Sequence, residues 1–238
     1  MDKKLFLSGA EELKFNISDD ILNKFSVYSA MLKEWNEKMN LTAVTDDEGI
    51  AVKHFLDSVL PISVIDMKEV GSFVDIGTGA GFPGLPIKIL CPEARATLID
   101  SLNKRINFLN AVKEKLELDK IECIHGRAEE LGKKSEYRER YDACFSRAVA
   151  NLTVLSEYCL PFVSVGGVFV ALKAEGAEEE INSAKPMIGV LGGKVEEIAS
   201  VKLPKSDITR LIVKIRKIKE TPKQYPRRAD KIKKSAQR

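Results

Sequence analysis

The residues best placed to do chemistry fall in one short run, Val74-Asp75-Ile76-Gly77-Thr78-Gly79-Ala80-Gly81-Phe82-Pro83-Gly84. An apolar, strand-like segment leads into Gly77, Gly79 and Gly81 at alternate positions and then into a helical pattern. Glycine there permits positive φ and lets a ligand touch the backbone. In an open parallel sheet, ligands bind beyond the carboxyl ends of the strands. Asp75 can orient the polar end of such a ligand. Asp100 ends the next strand-like run and can bond ribose hydroxyls. These features suit a dinucleotide or S-adenosylmethionine, and the bland alternative is a turn that binds nothing. Two details separate the ligands. The third glycine is Gly81, giving G-x-G-x-G instead of the G-x-G-x-x-G dinucleotide fingerprint. Pro83 and Pro86 fall at the start of the following helix, and each removes an N–H that a pyrophosphate would use. Fewer donors suit S-adenosylmethionine, which has no phosphate.

Further along, Gly126-Arg127-Ala128-Glu129-Glu130 follows the third strand-like run. The Ala128 backbone and the Glu129 side chain are placed to flank an adenine. The alternative is that the acids merely favour a helix's first turn. Ser146-Arg147-Ala148 follows the fourth run, where an acceptor would lie, and Arg147 can contact cofactor, phosphate or base. Lys104, Arg105, Arg127 and Lys173 are expected on the same rim, as a basic collar for RNA phosphates.

The acceptor atom is read by elimination. No D/N-P-P-Y/F motif occurs after the fourth run, where the chain reads Phe145-Ser146-Arg147-Ala148-Val149, which weighs against an exocyclic amine. Attack on a pyrimidine carbon needs a cysteine nucleophile. Cys144 lies inside an apolar strand and Cys159 inside a helix before Pro161. What remains is an acceptor that is already nucleophilic, such as guanine N7, for which alignment suffices and no base is required.

The elements that must hold these residues follow from periodicity. Ile21, Leu22, Phe25, Tyr28, Leu32, Trp35 and Met39 mark one apolar helix face, and Thr45 with Glu48 has capping-box spacing before a second helix. From Gly71 onward, apolar runs at Phe73–Ile76, Ala96–Ile99, Ile121–Ile124, Asp142–Phe145 and Val168–Leu172 alternate with helical patterns. This predicts an α/β fold, a Rossmann-like, mostly parallel sheet covered on both faces. Runs at Val195–Val201 and Ile208–Ile215 have no helix between them and predict an antiparallel terminal hairpin. The expected division is a helical extension over 1–62, a cofactor-binding domain over 63–217, and a basic, poorly ordered tail over 218–238.

The 238 residues carry a net charge of +3. Residues 214–238 hold eleven Lys and Arg against Glu220 and Asp230, so the preceding body is net acidic. That asymmetry suggests a polyanion partner, or else a solvated tail. The four cysteines show no C-x-x-C pair and the histidines number two, so no zinc site can be written. The first residues lack the apolar stretch of a secretory signal, and the longest apolar segment, 158–172, is broken by Pro161 and two glycines. The expectation is a cytoplasmic protein with no membrane partner.

In its combination of motifs the chain resembles the ribosomal RNA small-subunit methyltransferase G family, also called glucose-inhibited division protein B. The resemblance rests on Trp35-Asn36-Glu37-Lys38-Met39-Asn40-Leu41-Thr42, Lys53-His54-Phe55-Leu56-Asp57-Ser58, the glycine loop to Pro86, Leu98 to Arg105, Phe145 to Ala148 and Ala171-Leu172-Lys173. It runs in order from about residue 20 to about residue 215. It implies methylation of guanine N7 in 16S ribosomal RNA by S-adenosylmethionine. The expected substrate is naked RNA or a small-subunit particle, and the expected state is a monomer. It implies cofactor contacts at Gly77, Phe82, Ala128, Glu129 and Arg147, and roles for Lys104, Arg127 and Lys173 in RNA binding or catalysis. His54, Asp57 and Ser58 share a helical face and either meet ligand or join the extension to the sheet. Arg227 to Lys231 lacks the Gly-Thr-Pro run of related chains. The competing readings are a small-molecule methyltransferase, a nicotinamide oxidoreductase and a non-catalytic RNA-binding protein.

Overall fold

A computed structural model describes residues 1–147 and 150–235. Ala148 and Val149, part of the expected acceptor loop, lie outside the described residues. Helices α1 (Lys3–Glu12) and α2 (Asp19–Met39) open the chain. A continuous helical path follows through α3 (Asp47–Gly49), a π-helical stretch (Ile50–Leu56) and α4 (Asp57–Val59). The cap of this path is Asp46, whose Oδ1 accepts from the Gly49 amide at 2.6 Å, and not Thr45. Asp46 lies one residue nearer the helix, where its carboxylate reaches the third amide.

The remaining chain alternates β1 (Ser72–Ile76), α5 (Gly84–Leu90), β2 (Arg95–Asp100), α6 (Asn103–Lys115), β3 (Ile121–His125), α7 (Ala128–Leu131), β4 (Tyr141–Arg147), α8 (Leu152–Cys159), β5 (Val163–Ala174) and α9 (Glu178–Val190). It closes with β6 (Gly193–Lys202), β7 (Thr209–Lys217) and α10 (Ala229–Ser235). The seven strands are ordered β3-β2-β1-β4-β5-β7-β6. β1 to β5 pair in parallel, and β7 inserts antiparallel between β5 and β6. Strand order reverses on either side of β1, so β1 and β4 form the switch point at which such sheets bind ligands. Every expected strand is present, and the hairpin is the expected β6–β7 pair.

The helical extension is bolted to the glycine loop through an aromatic cluster. Phe6, Phe25, Tyr28 and Phe55 are fully or almost fully buried. Tyr28 lies 5.2 Å from the Phe55 ring and 5.6 Å from the Phe82 ring. Aromatic pairs at such separations add about 0.5–1.5 kcal/mol each beyond burial. Among the described residues no helix is long and apolar enough to cross a membrane.

The tail differs from the expected loose segment. Arg138 donates to the carbonyl oxygens of Thr221 (2.6 Å) and Tyr225 (2.8 Å). Arg227 grips Glu157, which is buried. Ile232 is fully buried. Charge density suggested a solvated segment, but these basic residues have acids and carbonyls of the body as partners, and Ile232 anchors the end.

Candidate active site

Gly77, Gly79 and Gly81 have φ of 71°, 62° and 101°, the backbone region that favours glycine. The loop they form is pinned from three sides. Asp100 accepts the Gly79 amide at 2.9 Å and the Leu102 amide at 2.9 Å, and pairs with Arg105 at 3.1 Å. From beneath, Asp75 accepts the Gly84 amide at 2.8 Å. From the helical extension, the Tyr28 hydroxyl donates to the Ala80 carbonyl at 2.5 Å. Tyr28→Phe keeps the ring and deletes this one bond. We predict a cofactor dissociation constant raised several-fold, from about 0.5–1.5 kcal/mol of lost order, read by calorimetric titration.

Beyond the carboxyl ends of β1, β2 and β3 opens a cleft of about 710 Å³. One wall is Gly77, Asp100, Leu102, Ala128 and Glu129; the other includes Asn151, Val154 and Tyr158. The volume lies in the range of pockets for molecules of nucleoside-cofactor size, roughly 300–1,000 Å³. Its lining joins apolar side chains such as Ile99, Leu102 and Val154 to the carboxylates of Asp100 and Glu129, with Arg127 at its edge, and suits a nucleoside. The cleft therefore joins five of the expected residues, Gly77, Asp100, Arg127, Ala128 and Glu129. The sequence reading missed Leu102, Val154 and Tyr158. The last two are one helical turn apart on α8, a spacing that marked a buried face but no ligand.

The other expected residues form a second cluster or stand apart. Asp75 is fully buried below the loop and is not part of the cleft wall. Its Oδ1 and the Thr78 hydroxyl have no hydrogen-bond partner. Burial raises the Asp75 pKa to about 7, opposed by the adjacent Thr78 hydroxyl, by the Gly84 amide and by Arg147. Since the folded value lies above the unfolded one, the protonated carboxyl favours folding. The contribution is full below about pH 4 and is lost as pH rises to about 7. Burial-lowered His54 acts oppositely between about pH 4 and 6.5, so the reading is a difference: between pH 5 and pH 8, denaturant titrations should show stability changing less favourably in the wild type than in Asp75→Asn.

Arg147, expected to contact cofactor, phosphate or base, is held by the helical extension. Its Nη1 donates to Asp57 at 2.9 Å and to the Lys53 carbonyl at 3.1 Å, and its guanidinium lies 5.0 Å from the Phe82 ring centre. Asp57 also accepts from Arg210 at 2.6 Å. The Asp57 carboxylate, 2% exposed, thus ties the extension to β4 and β7. His54 stacks on Phe82 at 4.5 Å, and its Nε2 lies 2.7 Å from the Thr42 hydroxyl. Burial lowers the His54 pKa to about 4, with Arg147 acting in the same direction. Ser58 donates to the His54 carbonyl at 2.5 Å. These contacts are the joining network among the alternatives for His54, Asp57 and Ser58.

The basic collar is narrower than expected. Lys173 pairs with Glu180 at 2.6 Å and donates to the Ala150 carbonyl, and Arg105 is held by Asp100. Both cations are paired with acids that the sequence reading did not assign to them. Lys104 is exposed, with its ammonium 3.1 Å from the Met39 carbonyl, and the Arg127 side chain is 63% exposed. These two remain facing solvent at the rim.

Sheet order, glycine loop and cleft together define a Rossmann-like class I S-adenosylmethionine methyltransferase fold. The crystal structure of M. jannaschii TYW2 in complex with AdoMet shares it, with a TM-score of 0.50 and 17% identity over 62% of this chain and 69% of that one. A profile described as rRNA small subunit methyltransferase G matches residues 21–209. Ribosomal RNA small subunit methyltransferase G of Alkaliphilus metalliredigens is 50% identical over 229 residues, 96% of each chain. The Clostridium novyi protein of the same name is 51% identical over 219 residues, 92% of this chain and 90% of that one. The chain belongs to the rRNA small subunit methyltransferase G family.

Proposed function

We propose that this protein transfers a methyl group from S-adenosylmethionine to N7 of a guanine in 16S ribosomal RNA, acting as a monomer. The observation that carries the cofactor reading is the cleft at the switch point, walled by Gly77, Asp100, Ala128 and Glu129. The ribose hydroxyls go to Asp100 and the adenine to the Ala128–Glu129 edge. Bound S-adenosylmethionine supplies an electrophilic methyl on a sulfonium sulfur. Guanine N7 offers a free lone pair at neutral pH, so the protein has no proton to remove and contributes alignment. Asp75, Gly79, Gly81 and Phe82 act by holding the loop in shape. Arg147, stacked on Phe82, orients the methyl-donor end and the incoming base. Lys104 and Arg127 meet RNA phosphates at the rim, and Lys173 positions the segment after β4.

The family assignment favours this reading over a small-molecule substrate, and the absence of an acceptor-amine motif favours a ring nitrogen over an exocyclic amine. The experiment is transfer of labelled methyl from S-adenosylmethionine to naked 16S RNA and to small-subunit particles, followed by digestion to nucleosides. The expected product is 7-methylguanosine. Label in another nucleoside would overturn the N7 assignment, and transfer to small molecules alone would overturn the RNA assignment. Lys104→Glu should weaken RNA binding and flatten its salt dependence, with a slope change of about 0.7–0.9 for each phosphate that is no longer neutralised. Cofactor binding should be retained.

A further inference from the structure

The segment after β7 is long, basic and outside the residues matched by the family profile. Its path through the structure gives it a role. Ala229, at the start of α10, is part of the cleft wall beside Tyr158 and Val154. Two guanidinium groups hold the segment there. Arg227 takes Glu157 from both ends of the carboxylate, with Nε 3.0 Å from Oε1 and Nη2 2.6 Å from Oε2, while its backbone amide donates to Oε1 at 2.7 Å. Glu157 is 1% exposed and directly precedes Tyr158 on α8. A bidentate pair to a buried carboxylate is the strong kind of ion pair, because direction as well as charge is fixed.

Arg138 supplies the second hold. Its Nη1 donates to the Gly132 carbonyl at 3.0 Å and the Tyr225 carbonyl at 2.8 Å, and its Nη2 to the Thr221 carbonyl at 2.6 Å. Gly132 caps α7, the helix that presents Ala128 and Glu129 to the cleft. One guanidinium therefore joins the helix behind one wall to the strap that completes the other. Buried Lys217 reinforces the strap's root, donating to the Leu160 carbonyl at 2.6 Å and to the Thr221 hydroxyl at 2.7 Å. Near the strap's end, Ile232 is fully buried.

We infer that the strap from Thr221 to Ser235 is a working wall of the cofactor cleft, setting affinity for the nucleoside end of the cofactor. This rests on the reading of the cleft as the S-adenosylmethionine site. Glu157, Arg227 and Arg138 are positioning residues: they touch no reacting atom but fix the spacing between Tyr158 and the Ala128–Glu129 edge.

The test is calorimetric titration with S-adenosylhomocysteine of the full chain, of a chain ending at Gln224, and of the Ala229→Trp variant, each with its ligand-free melting temperature. The full chain should bind. The shortened chain and Ala229→Trp should each bind at least about tenfold more weakly, and Ala229→Trp should do so with its ligand-free melting temperature unchanged. Binding by both variants within about twofold of the full chain overturns the proposal. If the shortened chain does not fold, Ala229→Trp decides alone. If the full chain itself fails to bind, the cofactor reading has failed, a different result from loss confined to the variants.

Discussion

Replacing Asp57 with alanine is expected to cost about 3–5 kcal/mol of stability, because it leaves two largely buried guanidinium groups without their shared carboxylate. Arg147 and Arg210 both depend on it, at 2.9 Å and 2.6 Å, and their side chains are 13% and 25% exposed. For a chain of this size that is a fall in melting temperature on the order of 10 °C. Catalysis should fall with it, since Arg147 would be without the carboxylate that holds it against Phe82. The cause can be separated from general damage. Removing all three charges, in Asp57→Ala/Arg147→Met/Arg210→Met, should recover much of the stability, since apolar residues of similar volume can replace a buried ion cluster. It should recover none of the methyl transfer. Recovery of activity in the triple variant would mean that Arg147 has no part in the reaction.

The second large effect is expected at Gly81. A Cβ there would lie 2.6 Å from Leu85 Cδ1 and 2.7 Å from the Tyr28 hydroxyl, on a backbone with φ of 101°. Overpacking costs about 1–3 kcal/mol, and an unfavourable backbone region adds about 1–2 kcal/mol. The same Tyr28 hydroxyl anchors Ala80, so the loop must shift where the cofactor's backbone partners lie. Gly81→Ala is therefore predicted to weaken cofactor binding on the order of 100-fold, measured by calorimetry. A loss of stability with unchanged affinity in the surviving folded protein would place the loop outside the cofactor site.

The strand pattern, the glycine loop and the Asp100 and Ala128–Glu129 positions were legible because each depends on local chemistry. Short continuous apolar runs, glycines at alternate positions of a turn and an acid at a strand end all show in sequence. What was not legible depends on pairings across long separations. Nothing near Arg147 in the chain marks Asp57 as its partner, 90 residues earlier, or predicts that Arg210 shares it. Lys173 read as a collar residue because its partner Glu180 lies across a turn, in the helix after its strand. The tail's charges suggested solvent for the same reason: Glu157 lies 70 residues from Arg227 and is hidden inside a helix that otherwise reads as apolar. Tyr28 showed as a core residue on the α2 face. Its hydroxyl, the part that reaches the glycine loop, leaves no trace in the pattern.

The most direct test of the account asks whether N7 itself receives the methyl group. Small-subunit RNA transcribed with 7-deazaguanine retains every other hydrogen-bonding edge of the base but has carbon where the lone pair would be. With this RNA and labelled S-adenosylmethionine, no transfer above background is expected, while ordinary RNA is methylated and both RNAs bind equally well. Undiminished transfer to the 7-deaza RNA would contradict it.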